Sequence, residues 1–411
     1  MKLNTGERWD LIDRISKETV TFGAYRHTLK DAIGELTVKP MTGIPVAIAV
    51  MYGFWSVFGS FAGFFTDGFF VRLFDAYWLP WLQEVFPGQG EWLYAIMVDT
   101  GGIESGEFVL SSNCLESFGV LTSGLFVAIG VVLPAIIIFY LMLALLEDIG
   151  YMPRLAVLLD TVLHRVGLHG YAIVPTILSL GCNVPGVTAT RILETKKQRF
   201  IMMTLLAIFI PCGAQIGIMQ DVVPDLMGWI LLYLIIGYFV FGYILNKIVP
   251  GKAPEFLIDV PPYRRPLLSN IGKKVGGRVR GFFVVAIPFV LLGCAIVGVL
   301  YQLGVIQFLG DTLAPVFVGW FGVPKETAGP LIAAFLRKDL AVAQLSAITM
   351  TPYQMITAVV LVSIYFPCVA TFAMMLKEGW KELIGSLAVL AVVVFTYGGL
   401  IHLIGILLGV A

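Results

Sequence analysis

The side chains of this chain best suited to chemistry are its cysteines, and their positions are unusual. Four of the five, Cys182, Cys212, Cys294 and Cys368, lie inside apolar segments. Three of these fall where a helix cannot run smoothly: Cys182 in GCNVPGVTATR (181–191), Cys212 after Pro211 in IPCGAQ (210–215), and Cys368 after Pro367 in YFPCVAT (365–371). Proline removes a backbone donor and glycine weakens a helix, so each of these thiols is expected at a break. Thiolates are soft ligands that suit transition metals rather than magnesium or calcium. Cys182, Cys212 and Cys368 are therefore candidate metal ligands, with the amide carbonyl of Asn183 beside them. The competing reading makes each cysteine a small buried hydrophobe and Asn183 a turn residue. Cys294, in an uninterrupted apolar run, and Cys114, in a polar loop, are read that way. An odd number of cysteines without CxxC spacing fits neither a disulfide framework nor a zinc knuckle.

Charges supply the second group of candidates. Arg337, Lys338 and Asp339 interrupt the apolar stretch 324–350 in the sequence FLRKDLAV (335–342). Charge at membrane depth is costly and marks function by default, so Lys338 and Asp339 are candidate pathway or gating groups. A mutually neutralising structural pair is the alternative. Glu147 and Asp148 close an apolar run in EDIGYMPR (147–154) and are candidates for the same role, although carboxylates at a membrane interface are cheap. No Walker A sequence, GxGxxG or HExxH occurs, so neither a nucleotide site nor an enzyme is expected.

The elements that must position these residues follow from composition. Of 411 residues, 58% are hydrophobic and 13% are charged, against about 25% charged in an ordinary soluble chain. That excess makes an all-α polytopic membrane protein the expected fold class. Net charge is zero, and nothing suggests a nucleic-acid partner; the expected surroundings are a lipid bilayer. A spanning helix needs about 20 apolar residues, and candidates lie at 43–64, 121–146, 200–219, 228–249, 282–304, 354–376 and 384–409. Basic residues mark cytoplasmic loops. The segment 1–42 is rich in Lys and Arg and lacks an apolar core, which predicts a cytoplasmic N-terminus. The 66–120 loop, with Arg72 as its one basic residue, is expected outside, and the basic 250–281 loop inside. The predicted location is a cell (inner) membrane.

The 171–190 segment has basic flanks on both sides, Arg154 and Arg165 before it, Arg191, Lys196, Lys197 and Arg199 after it. A re-entrant hairpin with Gly-Cys-Asn-Val-Pro at its apex keeps both flanks on one face. Non-helical backbone at that depth persists only where protein or a water-filled cavity surrounds it. A repeat points the same way: Gly167 and Gly322, like Pro175 and Pro330, are 155 apart, and Pro211-Cys212 and Pro367-Cys368 are 156 apart. The copies are expected at 121–249 and 282–409, each with a hairpin and with inverted topology, an architecture of secondary transporters. The span 43–64 stands outside them.

In order, EDIGYMPR, GCNVPGVTATR, IPCGAQ, DVPPYRRP (259–266), FLRKDLAV and YFPCVAT resemble the membrane half of FeoB-type ferrous iron transporters. The resemblance starts near ERWDLIDRI, which is similar to the family's linker after its G domain. It implies two Gate-type repeats, Fe2+ as transported substrate, and metal-contacting roles for Cys182, Cys212 and Cys368. It also implies a membrane part without its own G domain, so a separately encoded GTPase is an expected partner. Pro211 and Gln215 depart from the serine and arginine common around the family's second cysteine. Two other readings stand beside it: a transporter of a small organic solute such as a nucleoside, and a non-transporting membrane subunit that docks a G protein. Oligomeric state is not legible in the sequence.

Overall fold

In a bilayer every backbone N–H and C=O must find its partner within the protein, and this chain meets that demand with helix. The structure is a computed structural model that describes residues 14–16, 18–19, 29–86, 92–98, 102–104, 107–109, 119–251, 263–334, 338–345 and 348–409. Among them the only strands are β1 (Gly102–Glu104) and β2 (Glu107–Val109), a short antiparallel pair. Among the described residues six helices are long and apolar enough to cross a membrane: Pro40–Val85, Val120–Ile149, Lys196–Gln220, Met227–Ile248, Pro352–Glu378 and Trp380–Leu407. They match six of the expected spans. The seventh is a helix over 282–302, with Val290–Leu300 as its apolar part.

After α1 (Leu29–Val38), helix α2 (Pro40–Val85) departs from expectation by continuing well past residue 64. Wide π turns at Thr66–Val71 and Phe74–Trp78 carry it on, and Pro80 falls in the first turn of the following α segment. No other proline breaks it there. The stretch expected to be loop from residue 66 therefore opens with helix. A straight helix of this 46-residue length would be about 69 Å long, more than twice the hydrocarbon thickness of ~30 Å.

The short α3 (Trp92–Met97) leads towards α4 (Val120–Ile149), and the first repeat continues with α5 (Tyr151–His164), α6 (Ile173–Gly181), α7 (Asn183–Ala189), α8 (Lys196–Phe209), α9 (Gly213–Val222) and α10 (Met227–Ile248). Helix α11 (Leu268–Gly281) links it to the second: α12 (Ile287–Gln302), α13 (Val305–Phe321), α14 (Ala328–Ala333), α15 (Lys338–Leu345), α16 (Pro352–Ile364), α17 (Val369–Glu378) and α18 (Trp380–Leu408). From α5/α13 to α10/α18, equivalent helices start 153 to 156 residues apart. Pro175 and Pro330 each occupy the third position of their helix, where the missing N–H has no intrahelical partner anyway. Gly167 and Gly322 have φ of 78° and 68°, and a Cβ at either would sit 2.2 Å from a side-chain atom, of Asn246 or His402.

Packing is reciprocal between the copies. Helix α7 lies on α17 while α15 lies on α9, and α8 meets α18 while α16 meets α10. Such paired contacts are what a pseudo-two-fold relation produces. At its centre α8 touches α16, and every residue in 201–209 and 356–364 is buried. A helix apolar on all sides belongs in the interior. Since lipid is as apolar as leucine, dense van der Waals packing rather than water expulsion holds these helices together.

Candidate functional site

The site is built from four places where the helical backbone starts afresh. Cys182 separates α6 from α7 with extended dihedrals, φ −156° and ψ 132°. The chain reverses there. A Cβ built on Gly186 would lie 3.0 Å from the Ser179 Cα, whereas residues seven apart in a continuous helix are about 10.5 Å apart along the axis. Only glycine lets α7 fold back so closely on α6. In the long apolar runs that become α8–α9 and α16–α17, Pro211 and Pro367 disfavour helix at the preceding residue. Each run breaks there, and Cys212 or Cys368 caps the helix that follows.

Cys182, Cys212 and Cys368 are thus the N-cap residues of α7, α9 and α17. The fourth start, α15, opens with Lys338. All four residues, with Asn183, line one cavity of about 160 Å³. The structure also places Cys294 of α12 in its wall, a contribution that its uninterrupted apolar setting did not signal. The four converging helix N-termini carry positive partial charge. A bare cation is therefore unwelcome in this cavity unless thiolates supply the compensating charge. Among the described residues no three His, Cys, Asp or Glu side chains lie close enough to enclose a metal ion as they stand.

The broken helices leave carbonyls that must be paired, and the cavity residues do this. Asn183 Nδ2 donates to Ile210 O at 3.2 Å. Lys338, 6% exposed, donates through Nζ to Ser363 O at 2.6 Å and to Ala207 O at 3.5 Å. Gln215 Nε2 donates to Ser363 Oγ at 2.7 Å, tying α9 to α16. Asn183 Oδ1 and Gln215 Oε1 are buried and have no hydrogen-bond partner among the described residues. For Asn183 this leaves an open acceptor on a residue of the cavity wall. Cys368 Sγ lies 3.1 Å from Thr371 Oγ1. Asp339 continues the backbone of α15; its side chain, like residues 335–337, Cys114 and most of ERWDLIDRI, lies outside the described residues.

Two larger spaces flank the cavity. One, of about 350 Å³, runs between α2 and α9 and meets the central cavity at Ala135 and Ala214. The other, of about 510 Å³, is lined by Glu147, Arg191, Lys274 and Arg278. Tyr140 belongs to the walls of both this space and the central cavity, and the Arg278 guanidinium sits 5.5 Å from its ring centroid. Neither Tyr140 nor Arg278 stands out in the sequence, because an aromatic and a loop arginine are ordinary there.

Glu147 and Asp148 are brought to the rim of this second space rather than to the thiols. Lys274 reaches Glu147 at 3.1 Å and Asp148 at 3.3 Å, and Asp148 also accepts from the Leu267 N–H. Partial desolvation works against the Lys274 ammonium, but the hydrogen bonds and charges of Glu147 and Asp148 outweigh it and raise its pKa. Nearby, the Arg264 N–H donates to Ile149 O, the Tyr263 hydroxyl donates to Thr37 Oγ1 of α1, and the buried Arg154 guanidinium lies 3.7 Å from the Tyr263 ring centroid. Two stretches more than a hundred residues apart, EDIGYMPR and the described part of DVPPYRRP, form one structural knot.

A multi-pass helical protein with a unit used twice, whose broken helices meet at a single cavity, has the organisation of a membrane transport protein. Comparison with known proteins agrees in class. A family model described as Nucleoside recognition, the Gate domain, matches residues 129–223 and again 283–380. A second, the Ferrous iron transport protein B C terminus, matches residues 226–278. The chain is 26% identical over 318 residues to a Fe(2+) transporter FeoB of Staphylococcus aureus, covering 67% of this chain and 47% of that protein. For the Methanocaldococcus jannaschii FeoB the figures are 24% over 452 residues, 98% and 63%; for that of Campylobacter jejuni, 28% over 302 residues, 70% and 44%. A solved structure of a CNTnw variant aligns with a TM-score of 0.44 at 15% identity over 90% of this chain and 97% of that one, too distant a likeness to carry an argument. By these matches the chain is similar to FeoB proteins, and it spans about half the length of the curated relatives it matches.

Proposed function

We propose that this chain is the membrane component through which ferrous iron enters the cell, with Fe2+ handed across the cavity by Cys182, Cys212 and Cys368. The observation that carries the reading is the convergence of three thiols, each from its own helix break, on one small cavity. Relatives named as Fe(2+) transporters support it. The sulfurs would draw together on the ion and lose their protons as they bind it, while Asn183 Oδ1 offers a neutral oxygen. Size favours an ion over an organic solute such as a nucleoside: the cavity is about 160 Å³, and pockets for small organic molecules are usually ~300 Å³ or larger.

In this reading the protein sits in the cytoplasmic membrane with its N-terminus inside. The 350 Å³ space faces outwards and the basic 510 Å³ space faces the cytoplasm, following the bias of Lys and Arg to the inner side. The hairpin α6–α7 would enter from the inside and α14–α15 from the outside. A GTPase partner would meet the exposed basic residues of α11, among them Lys273 and Arg280.

Uptake of iron into proteoliposomes tests the proposal. Cys182→Ser and Cys368→Ser should each reduce the rate at least about tenfold, ~1.4 kcal/mol in the limiting step. Cys294→Ser, in mid-helix and away from any break, should stay within about twofold of the unaltered protein, under 0.5 kcal/mol. Equal rates for all three variants at matched expression would remove the thiols from the mechanism.

A further inference from the structure

We propose that Ala207 O and Ser363 O form a cation position whose permanent occupant is the Lys338 ammonium. Ala207 and Ser363 are repeat equivalents, 156 residues apart, each near the C-terminal end of a central broken helix, α8 or α16. The last four carbonyls of a helix lack intrahelical partners and carry its negative partial charge. Two such ends therefore present equivalent oxygens from either side of the pseudo-two-fold. Lys338 Nζ lies between them, 2.6 Å from Ser363 O and 3.5 Å from Ala207 O, on a residue that is 6% exposed.

The arrangement separates charge across the break. The N-termini of α7, α9 and α17 carry the thiols, whereas the C-terminal carbonyls of α8 and α16 face the ammonium. In other transporters built from broken helices, unwound carbonyls and half-helix C-termini are where a coupling Na+ or H+ is held. Here a tethered cation fills the equivalent chemistry. It costs no binding entropy at each cycle and cannot leave with the cargo. Resting on the transport reading above, the inference adds that translocation needs no inorganic monovalent cation at this position.

Thermal unfolding of the purified full chain tests the cation position without reference to iron. At about 150 mM salt, a physiological ionic strength, the unaltered protein should melt at the same temperature in NaCl, KCl and choline chloride. Lys338→Ala empties the space; in choline chloride its Tm should fall by at least about 4 °C, and NaCl or KCl should restore half or more of the loss. Lys338→Met fills the space without charge and should be destabilised equally in all three salts. Lys338→Arg keeps a cation and should be indifferent to salt identity. Failure of every small cation to rescue Lys338→Ala, including failure to fold in any salt, would overturn the proposal. So would Na+-specific stabilisation of the unaltered protein. Replacing NaCl by choline chloride should also leave iron uptake by the unaltered protein within about twofold; a larger loss, with rescue of Lys338→Ala intact, would reject only the uncoupled step.

Discussion

Tyr140 is the side chain shared by the walls of the thiol cavity and the basic vestibule, so removing its ring should open the cavity to that face. The expected size of the effect follows from what holds the ring in place. Tyr140 is 8% exposed, and burying a side chain of this size is worth about 1.5–3 kcal/mol. The Arg278 contact at 5.5 Å adds about 0.5–1 kcal/mol. A ring held by roughly 2–4 kcal/mol leaves the passage open a few per cent of the time or less. Tyr140→Ala should therefore raise the rate at which a membrane-impermeant thiol reagent modifies Cys182 by roughly 30- to 900-fold, when the reagent is applied from the Lys274–Arg278 face. Arg278→Gln should raise it by only about two- to fivefold, and Tyr140→Phe, which keeps the ring, should leave it unchanged. The assay is mass-spectrometric timing of Cys182 alkylation in inside-out vesicles. An unchanged rate in Tyr140→Ala, or an increase seen only from the opposite face, would refute the assignment of Tyr140 as the inner barrier.

Two further outcomes are expected. Cysteines introduced at the exposed positions Arg165 and Glu194 should both be labelled from the cytoplasmic side; opposite-sided labelling would sink the re-entrant hairpin. Gly186→Ala should destabilise the protein by about 1–3 kcal/mol in thermal unfolding, because its Cβ would fall 1.8 Å from Ser179 Oγ. Adding Ser179→Ala should restore only part, since Ser179 Cβ and Cα remain at 2.9 and 3.0 Å; full restoration would mean the backbones are not so close.

Much of the architecture is written in one dimension. Apolar runs of spanning length, prolines that stop them and a near-constant offset between Pro-Cys steps are local features, and they carry into α8–α9 and α16–α17. Convergence is not local. Cys294 looks like any residue of an apolar helix, and only the packing of α12 brings it to the wall that Cys182 and Cys368 share. Lys338 announces itself as a buried charge, but the carbonyls of Ala207 and Ser363 that it meets are not legible in a sequence. The end of α2 is hidden for a different reason: wide π turns keep the backbone helical past Asp67 and Arg72, where the apolar run is already interrupted.

The knot of Arg154, Tyr263 and Thr37 has a consequence for how this sequence can drift. Arg154 stacks on a ring supplied by the segment before α11, and that ring's hydroxyl is anchored on α1. A Cβ on Gly34 of α1 would come within 3.3 Å of the same guanidinium. Three stretches separated by more than a hundred residues at the widest are therefore one mutational unit. Loss of the tyrosine strips the stacked ring from a buried cation, and enlargement of the glycine crowds it, so a change in any one constrains what the other two can become. Across descendants of this chain, positions 34, 154 and 263 should change together or not at all.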